Sequence, residues 1–177
     1  VLSPIRLMPE HARVYRALML QAYTQHPQAF GSSVAERAAL PLSWWAKRLA
    51  ADPNAHELVL GVFDGQQLVG VVGLAFESRE KLRHKCSLFG MYVAPQARRL
   101  GQGAALVQAA LAGARTRPGI KLVQLTVTHG NLAAQALYER FGFVSFGLEP
   151  MAVAVDDGFV SKNHMWCRLP DEGVRCT

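Results

Sequence analysis

Hydrophobic positions along this chain switch between a helical period and a strand period. Ser3–Met8 can form a first strand. Pro9 suits the opening turn of a helix, and Glu10–His26 carries Val14, Leu18, Leu20 and Ala22 on a helical pattern until His26-Pro27 ends it. Gln28–Leu40 has no clean period and reads as irregular or partly helical. Pro41-Leu42-Ser43 then opens a short helix, Trp44–Ala51, closed by Asp52-Pro53-Asn54. From there the strand period takes over. Glu57–Phe63 and Gln67–Phe76 flank Asp64-Gly65, a strong hairpin turn, with Gly70 and Gly73 as bulge points. A polar tip, Ser78–Arg83, returns the chain to an apolar strand, Leu88–Val93. An apolar helix at Ala104–Ala114 is stopped by Arg117-Pro118-Gly119, and Lys121–Val127 is a buried strand. Asn131 can cap a helix that runs to Arg140, with Gly142 as its terminator. Phe143–Leu148 and Met151–Val155 read as two strands or one bent strand. Asp156-Asp157-Gly158 turns into a last strand, Phe159–Leu169, and Asp171–Thr177 reads as a tail. This order predicts an α/β fold, a mixed sheet with helices on both faces. No internal repeat or linker interrupts it, so residues 1–177 read as a single domain.

One junction carries chemistry. Ala94-Pro95 stops the strand Leu88–Val93, because proline has no N–H for a ladder. Arg98-Arg99-Leu100-Gly101-Gln102-Gly103-Ala104 follows as a basic, glycine-punctuated turn running into the helix. The first amides of a helix lack intrahelical partners, and the helix dipole adds about half a positive charge there. Glycines allow close backbone approach, and Arg98 and Arg99 add two permanent charges, so the expected guest is a phosphate or pyrophosphate. Three phosphate motifs compete. The dinucleotide fingerprint fails at Leu106, and no acidic residue lies near twenty positions on, where Leu122–Leu125 is apolar or amide. A P-loop requires Gly-Lys-Ser/Thr, which the chain lacks. The third, R/Q-x-x-G-x-G/A, is matched by Arg98, Gly101 and Gly103.

That third pattern resembles the coenzyme pyrophosphate loop of the GNAT superfamily of N-acetyltransferases. A second stretch, NLAAQALYERFGF, is similar to the second motif of that superfamily at Asn131, Ala134, Tyr138, Gly142 and Phe143, and it follows the first by one helix and one strand. The residues also speak for themselves: Asn131, Gln135 and Tyr138 share one helical face, and Leu137 and Phe141 another, facing the core. The resemblance implies a GNAT fold whose central sheet splays open between the strands ending at Val93 and Val127. It implies acetyl-coenzyme A as cosubstrate. Its pantetheine would pair with the backbone around Met91, Tyr92 and Val93, and its pyrophosphate would sit on Arg98, Arg99, Leu100, Gly101, Gln102, Gly103 and Ala104. Asn131 and Ala134 would border the pantetheine, Tyr138 would sit near the sulfur as catalytic residue, and the N–H at Met91 or its neighbour would steady the carbonyl oxygen.

The reaction expected is acetyl transfer to a primary amine by direct attack in a ternary complex; the acceptor is a small molecule, a protein N-terminus or a lysine. A lysine-like amine is neutral in only about one molecule in 2,500 at pH 7, so a general base or a desolvated site is needed. The central strand offers no carboxylate at Ser87–Met91, which leaves Glu77, Glu36, His84, His129 or a water chain. Phe30, Trp44 and Trp45 are candidate acceptor-site aromatics, against an ordinary core role, and His164 reads as structural. The missing carboxylate keeps a second reading open, a non-catalytic acyl-coenzyme A-binding regulatory module.

Composition adds boundaries. Half of the 177 residues are hydrophobic and 18% are charged, a globular balance. No apolar run reaches membrane-spanning length, so no membrane partner is expected, and Val1–Arg6 has no signal-peptide layout. Cys86, Cys167 and Cys176 are odd in number with no C-x-x-C spacing, which argues against a disulfide framework or a zinc site and favours a reducing, cytoplasmic setting. The net charge of +6 suits an anionic ligand, but no basic block or aromatic-basic interleaving marks a nucleic-acid binder. A homodimer is compatible with the chain.

Overall fold

The structure, a computed structural model, describes residues 1–170; the expected tail Asp171–Thr177, with Cys176, lies outside the described residues. Seven strands form one sheet: β1 (Ile5–Arg6), β2 (Glu57–Asp64), β3 (Gln67–Phe76), β4 (Lys85–Val93), β5 (Leu122–Thr128), β6 (Val144–Val155) and β7 (Gly158–Arg168). Among the described residues five α-helices accompany them: α1 (Ala12–Gln25), α2 (Val34–Ala38), α3 (Leu42–Arg48), α4 (Gln102–Thr116) and α5 (Leu132–Arg140). The strand order is β1-β2-β3-β4-β5-β7-β6, antiparallel except for the parallel β4–β5 pair. That is the mixed sheet the periodicity predicts.

β3 is buried from Leu68 through Leu74, which requires cover on both faces. On one side α4 brings Leu106, Val107, Ala110, Leu111 and Ala114, all buried; a Cβ at Gly70 would meet Leu106 at 3.1 Å, so the helix rides close to the strand. On the other side α1 contributes Tyr15, Leu18, Met19 and Ala22, and α3 contributes the fully buried Trp45. Tyr15 and Trp45 meet edge to face at 5.6 Å.

The differences from the sequence reading have local causes. The first strand shrinks to Ile5–Arg6, paired to Gly61 and Leu60, because only this stretch reaches the sheet edge. The third helix starts at Leu42 behind Pro41, whose ring presets an extended entry, and ends at Arg48 instead of Ala51. α4 gains Gln102 and Gly103 at its start, because Gly101 in the left-handed region (φ +80°) serves as its cap. β4 reaches back to Lys85. The last hairpin resolves the choice between two strands and one bent strand: β6 is one strand of 12 residues with two register shifts, Met151 taking φ +52° in the second. No helix among the described residues is long and apolar enough to cross a membrane.

Candidate active site

The phosphate-loop expectation rests on free amides. The first α4 amide that reaches a carbonyl is Ala105, on Gly101 at 3.0 Å, so the N–H groups of Gln102, Gly103 and Ala104 end the helix without intrahelical partners. Arg99 joins Gly101 in positive φ (+61°), which curls the turn around this end. Arg98 is held rather than loose: its Nε donates to the Val93 carbonyl (2.9 Å) and its guanidinium lies 3.0 Å from His26 Nε2. Arginine only donates, so His26 accepts here as a neutral ring. Burial and the Arg98 charge both lower its pKa, consistent with that form. Leu100 projects into solvent, and the Gln102 side chain turns inward, where its Oε1 is buried without a partner. From these two residues only the backbone faces the turn's open side.

The sheet opens beside this loop. β4 and β5 pair only at Lys85–Leu122, Cys86–Val123 and Ser87–Gln124; beyond them β4 stays with β3, and β5 goes with β7. At the apex Gln124 Nε2 reaches Ser87 Oγ at 3.4 Å. Gly90, at φ +59°, accompanies a one-residue bulge against β3 that bends β4 away. Two adjoining cavities fill the gap. The outer, of about 700 Å³, is bordered by Met91, Tyr92, Val93, Arg98, Arg99 and Gly103; the inner, of about 330 Å³, reaches Leu88–Met91 and Tyr138. Both share Phe30, Met91, Asn131, Ala134 and Leu137, so they form one groove through the sheet.

α5 supplies the far wall. Asn131 caps it, its Oδ1 accepting from Ala134 N–H at 3.2 Å. The face turned to the groove is Asn131, Ala134, Leu137 and Tyr138, which corrects the placement of Gln135 on that face, while Leu137 also packs against the core as expected. Gln135 turns instead to Glu139 (2.9 Å) and Asn163 (3.5 Å) on the other side. Leu137 lines the groove, and a Cβ at Gly103 would meet it at 3.3 Å, so α4 and α5 touch here. Tyr138 is 6% exposed, packed edge to face on Phe143 (5.7 Å), and burial pushes its phenol up from 10.0 to about 12. Its hydroxyl makes no hydrogen bond among the described residues.

The inner cavity holds residues that sequence reading missed. Arg37, Arg48, Tyr23 and Phe89 line it beside the expected Phe30. Arg48 forms a two-point pair with Glu57 (2.8 and 3.2 Å) and stacks on Trp44 and Phe89. Lys162 of β7 is buried, with Nζ donating to Ala29 O (2.9 Å), Thr128 Oγ1 (3.2 Å) and Gln28 O (3.4 Å), and burial lowers its pKa. It ties the turn at Pro27–Ala29 to the end of β5. None of this had a local motif; only the periodicity of β7 placed Lys162 in a strand.

The proposed bases lie elsewhere. Glu77 pairs with Arg79 (3.2 Å) at the hairpin. Glu36 caps α2 through Ser33 (2.9 Å). His84 and His129 are exposed, and neither lines the groove. Trp45 is core, and Trp44 supports the two arginines from behind. His164 is structural, bound to Glu149 at 2.7 Å. No cluster of three His, Cys, Asp or Glu residues gathers as a metal site among the described residues.

Comparison with known proteins gives the family. Residues 14–143 match the model of the acetyltransferase (GNAT) family, so the chain belongs to that family, whose acyl donor is acetyl-coenzyme A. A mycothiol acetyltransferase of Salinispora arenicola is 34% identical over 131 residues, 72% of this chain but 39% of that protein, so the chain spans well under half of this curated relative. A GNAT-family acetyltransferase of Streptococcus pneumoniae superposes with TM-score 0.85 at 21% identity, covering 96% of this chain and 100% of that one. The Salmonella typhimurium protein yncA, solved with its cofactor acetyl-CoA, superposes with TM-score 0.77 at 16% identity, over 97% and 95%.

Proposed function

We propose that this chain transfers the acetyl group of acetyl-coenzyme A to a primary amine by direct attack in a ternary complex. The observation that carries the reading is the continuous groove from the free amides of α4 to Tyr138. The pyrophosphate lies on the Gln102, Gly103 and Ala104 amides with Arg98 and Arg99 at its flank. The pantetheine lies between β4 and β5 along Met91–Val93, Asn131 and Ala134. The acetyl carbonyl reaches the Gly90-Met91 bulge, where the Met91 N–H meets the oxygen as it becomes negative.

Tyr138 is the residue nearest the departing sulfur in this arrangement. With its pKa at about 12, full proton transfer to a thiolate of ordinary pKa, about 8.5, is uphill by about 5 kcal/mol. Tyr138 therefore acts by donating a hydrogen bond to the sulfur. The amine must arrive neutral. No carboxylate lines the inner cavity, whereas Arg37, Arg48 and Lys162 do, and like charge disfavours an ammonium ion. The site selects the free amine by its potential, and water takes the proton released on attack.

The test is coenzyme release across a panel of amines, with thermal shift by coenzyme A alongside. Tyr138→Phe should keep the thermal shift and lower turnover on the order of 10²-fold or more. No thermal shift in the unaltered chain would sink the pyrophosphate assignment. A shift with no release for any amine would favour a coenzyme-binding regulatory role.

A further inference from the structure

The inner cavity extends past Tyr138 to a wall that the acetyl donor does not use. Its charges do not balance. Arg48 is matched by Glu57, its Nε 2.8 Å from Oε2. Lys162 is held by two carbonyls and a hydroxyl. Arg37 has neither kind of partner: its guanidinium lies 4.7 Å over the Trp44 ring, its Nε is buried without a hydrogen bond, and it makes no ion pair among the described residues. No Asp or Glu is among the residues lining this cavity. A buried guanidinium donor without an acceptor is costly, and the planar fork of arginine matches a carboxylate at two points.

We infer that the amine acceptor is a small amino acid whose carboxylate binds Arg37 while its amine faces the thioester at Met91 and Tyr138. This rests on the acetyltransferase reading and narrows it. Size supports it: about 330 Å³ must hold the acetyl end of the coenzyme together with the acceptor. Tyr23, Phe30 and Phe89 offer an apolar wall for the acceptor's side chain. In the reaction the amine nitrogen forms a bond to the acetyl carbon and the carbon–sulfur bond breaks. One N–H proton is lost, the sulfur ends as the free thiol, and the products are an N-acetylamino acid and coenzyme A. A third cleft, between Phe30 and the β6–β7 turn, carries Glu36, Asp156 and Asp157, which would instead suit a long polycation, so the competing acceptor is a polyamine or a basic peptide.

The experiment compares matched acceptors on the full chain: phenylalanine against phenylalaninamide, methionine against methioninamide, with spermidine and a lysine peptide beside them. The carboxylates should exceed their amides at least tenfold in kcat/KM. Arg37→Gln should remove most of that preference through KM, Arg37→Lys part of it, and both should keep the thermal shift by coenzyme A. Binding of N-acetylphenylalanine against its amide, read by Trp fluorescence, tests the subsite without turnover. Amides equal to the acids, spermidine or the lysine peptide as the best acceptor, or no change of preference in Arg37→Gln would each overturn the inference while leaving the transferase reading standing. Release from no amine, with selective binding of N-acetylphenylalanine, would sink the transferase reading and keep the carboxylate subsite. Neither release nor such binding would sink both.

Discussion

The two ends of the groove are built from different materials. The end proposed for the coenzyme is backbone: three helix amides, a left-handed glycine cap and the bulged edge of β4, with Arg98 pinned at its side. The end proposed for the acceptor is side chains, from α1 (Tyr23), α2 (Arg37), α3 (Arg48), β4 (Phe89) and β7 (Lys162), with Arg48 stacked on Phe89 and paired with Glu57, and Lys162 held by Gln28, Ala29 and Thr128. Backbone donors are oriented by the fold itself and cannot be substituted away one at a time. Side chains from five elements can each be exchanged without unfolding the rest. An architecture of this kind keeps the donor constant and leaves the acceptor open to change.

The largest effect should come from breaking the coenzyme end through its backbone. Gly101 sits at φ +80°, where a β-branched residue is strained by about 1–3 kcal/mol, and its Cβ would also lie 3.2 Å from Val1. Gly101→Val should uncap α4, turn its amides away and weaken coenzyme A on the order of 100-fold, a loss of two or so charge-assisted hydrogen bonds. Isothermal titration calorimetry with coenzyme A checks this. Unchanged affinity would mean that the amides are not the phosphate site.

The acceptor end can be broken separately. A Cβ at Gly73 would stand 2.3 Å from Cζ of the Phe89 ring, the ring on which Arg48 stacks at 4.9 Å. Gly73→Ala should displace that ring and cost about 1–3 kcal/mol by overpacking. It should raise the KM for the amine severalfold and spare the coenzyme thermal shift. Denaturant unfolding and steady-state kinetics give the two numbers. If the coenzyme shift disappeared as well, the two ends would not be independent.

The same division explains what the sequence made legible. The coenzyme end comes from two contiguous stretches, Leu88–Ala104 and Asn131–Phe143, in which turn glycines, a cap and helical spacing are local signals. Residues 14–143, which match the family model, include both. The acceptor end depends on contacts between residues far apart, such as Lys162 on Ala29 and Thr128, which no spacing rule brings together. Even near the motif, local periodicity misplaced Gln135, which turns to Glu139 and Asn163. Which face of α5 meets the groove is set by α4 packing against Leu137, a tertiary contact. The element order was readable because each strand has its own period and turn; the bulge at Gly90 was not, because it arises from register with β3.

Alkaline pH should probe both ends through two buried phenols. Burial raises Tyr15, under the acceptor wall, and Tyr138, in the groove, from 10.0 to about 12 each. A group whose folded pKa is raised stabilises fully below the unfolded value and loses that contribution as pH climbs through the folded one. Stability should therefore hold up to about pH 10 and then fall by up to about 1.4 kcal/mol per pH unit for each tyrosine until about 12. Urea unfolding at pH 9 and 11 measures it. Tyr138→Phe should remove roughly half the slope, and an unchanged slope would place Tyr138 in contact with water. Turnover should show no tyrosine inflection below pH 10.

The smallest effect concerns whether arginine geometry matters at the coenzyme end. Arg98 is fixed by Val93 O at 2.9 Å and by His26 at 3.0 Å, and only the second bond is removable by mutation of a partner. His26 is half-buried but its bond to Arg98 is exposed, so His26→Ala should cost about 0.5–1 kcal/mol in coenzyme binding, a change of severalfold at most. Acidification gives the sign independently. The His26 pKa is lowered, and once the ring is protonated it places a second positive charge beside Arg98 and can no longer accept its hydrogen bond. Coenzyme affinity should therefore fall on acidification in the unaltered chain and fall less in His26→Ala. A loss above tenfold in that variant at neutral pH would move the weight of phosphate binding from the α4 amides to the orientation of Arg98, and the contrast between a backbone end and a side-chain end would fail where it is most specific.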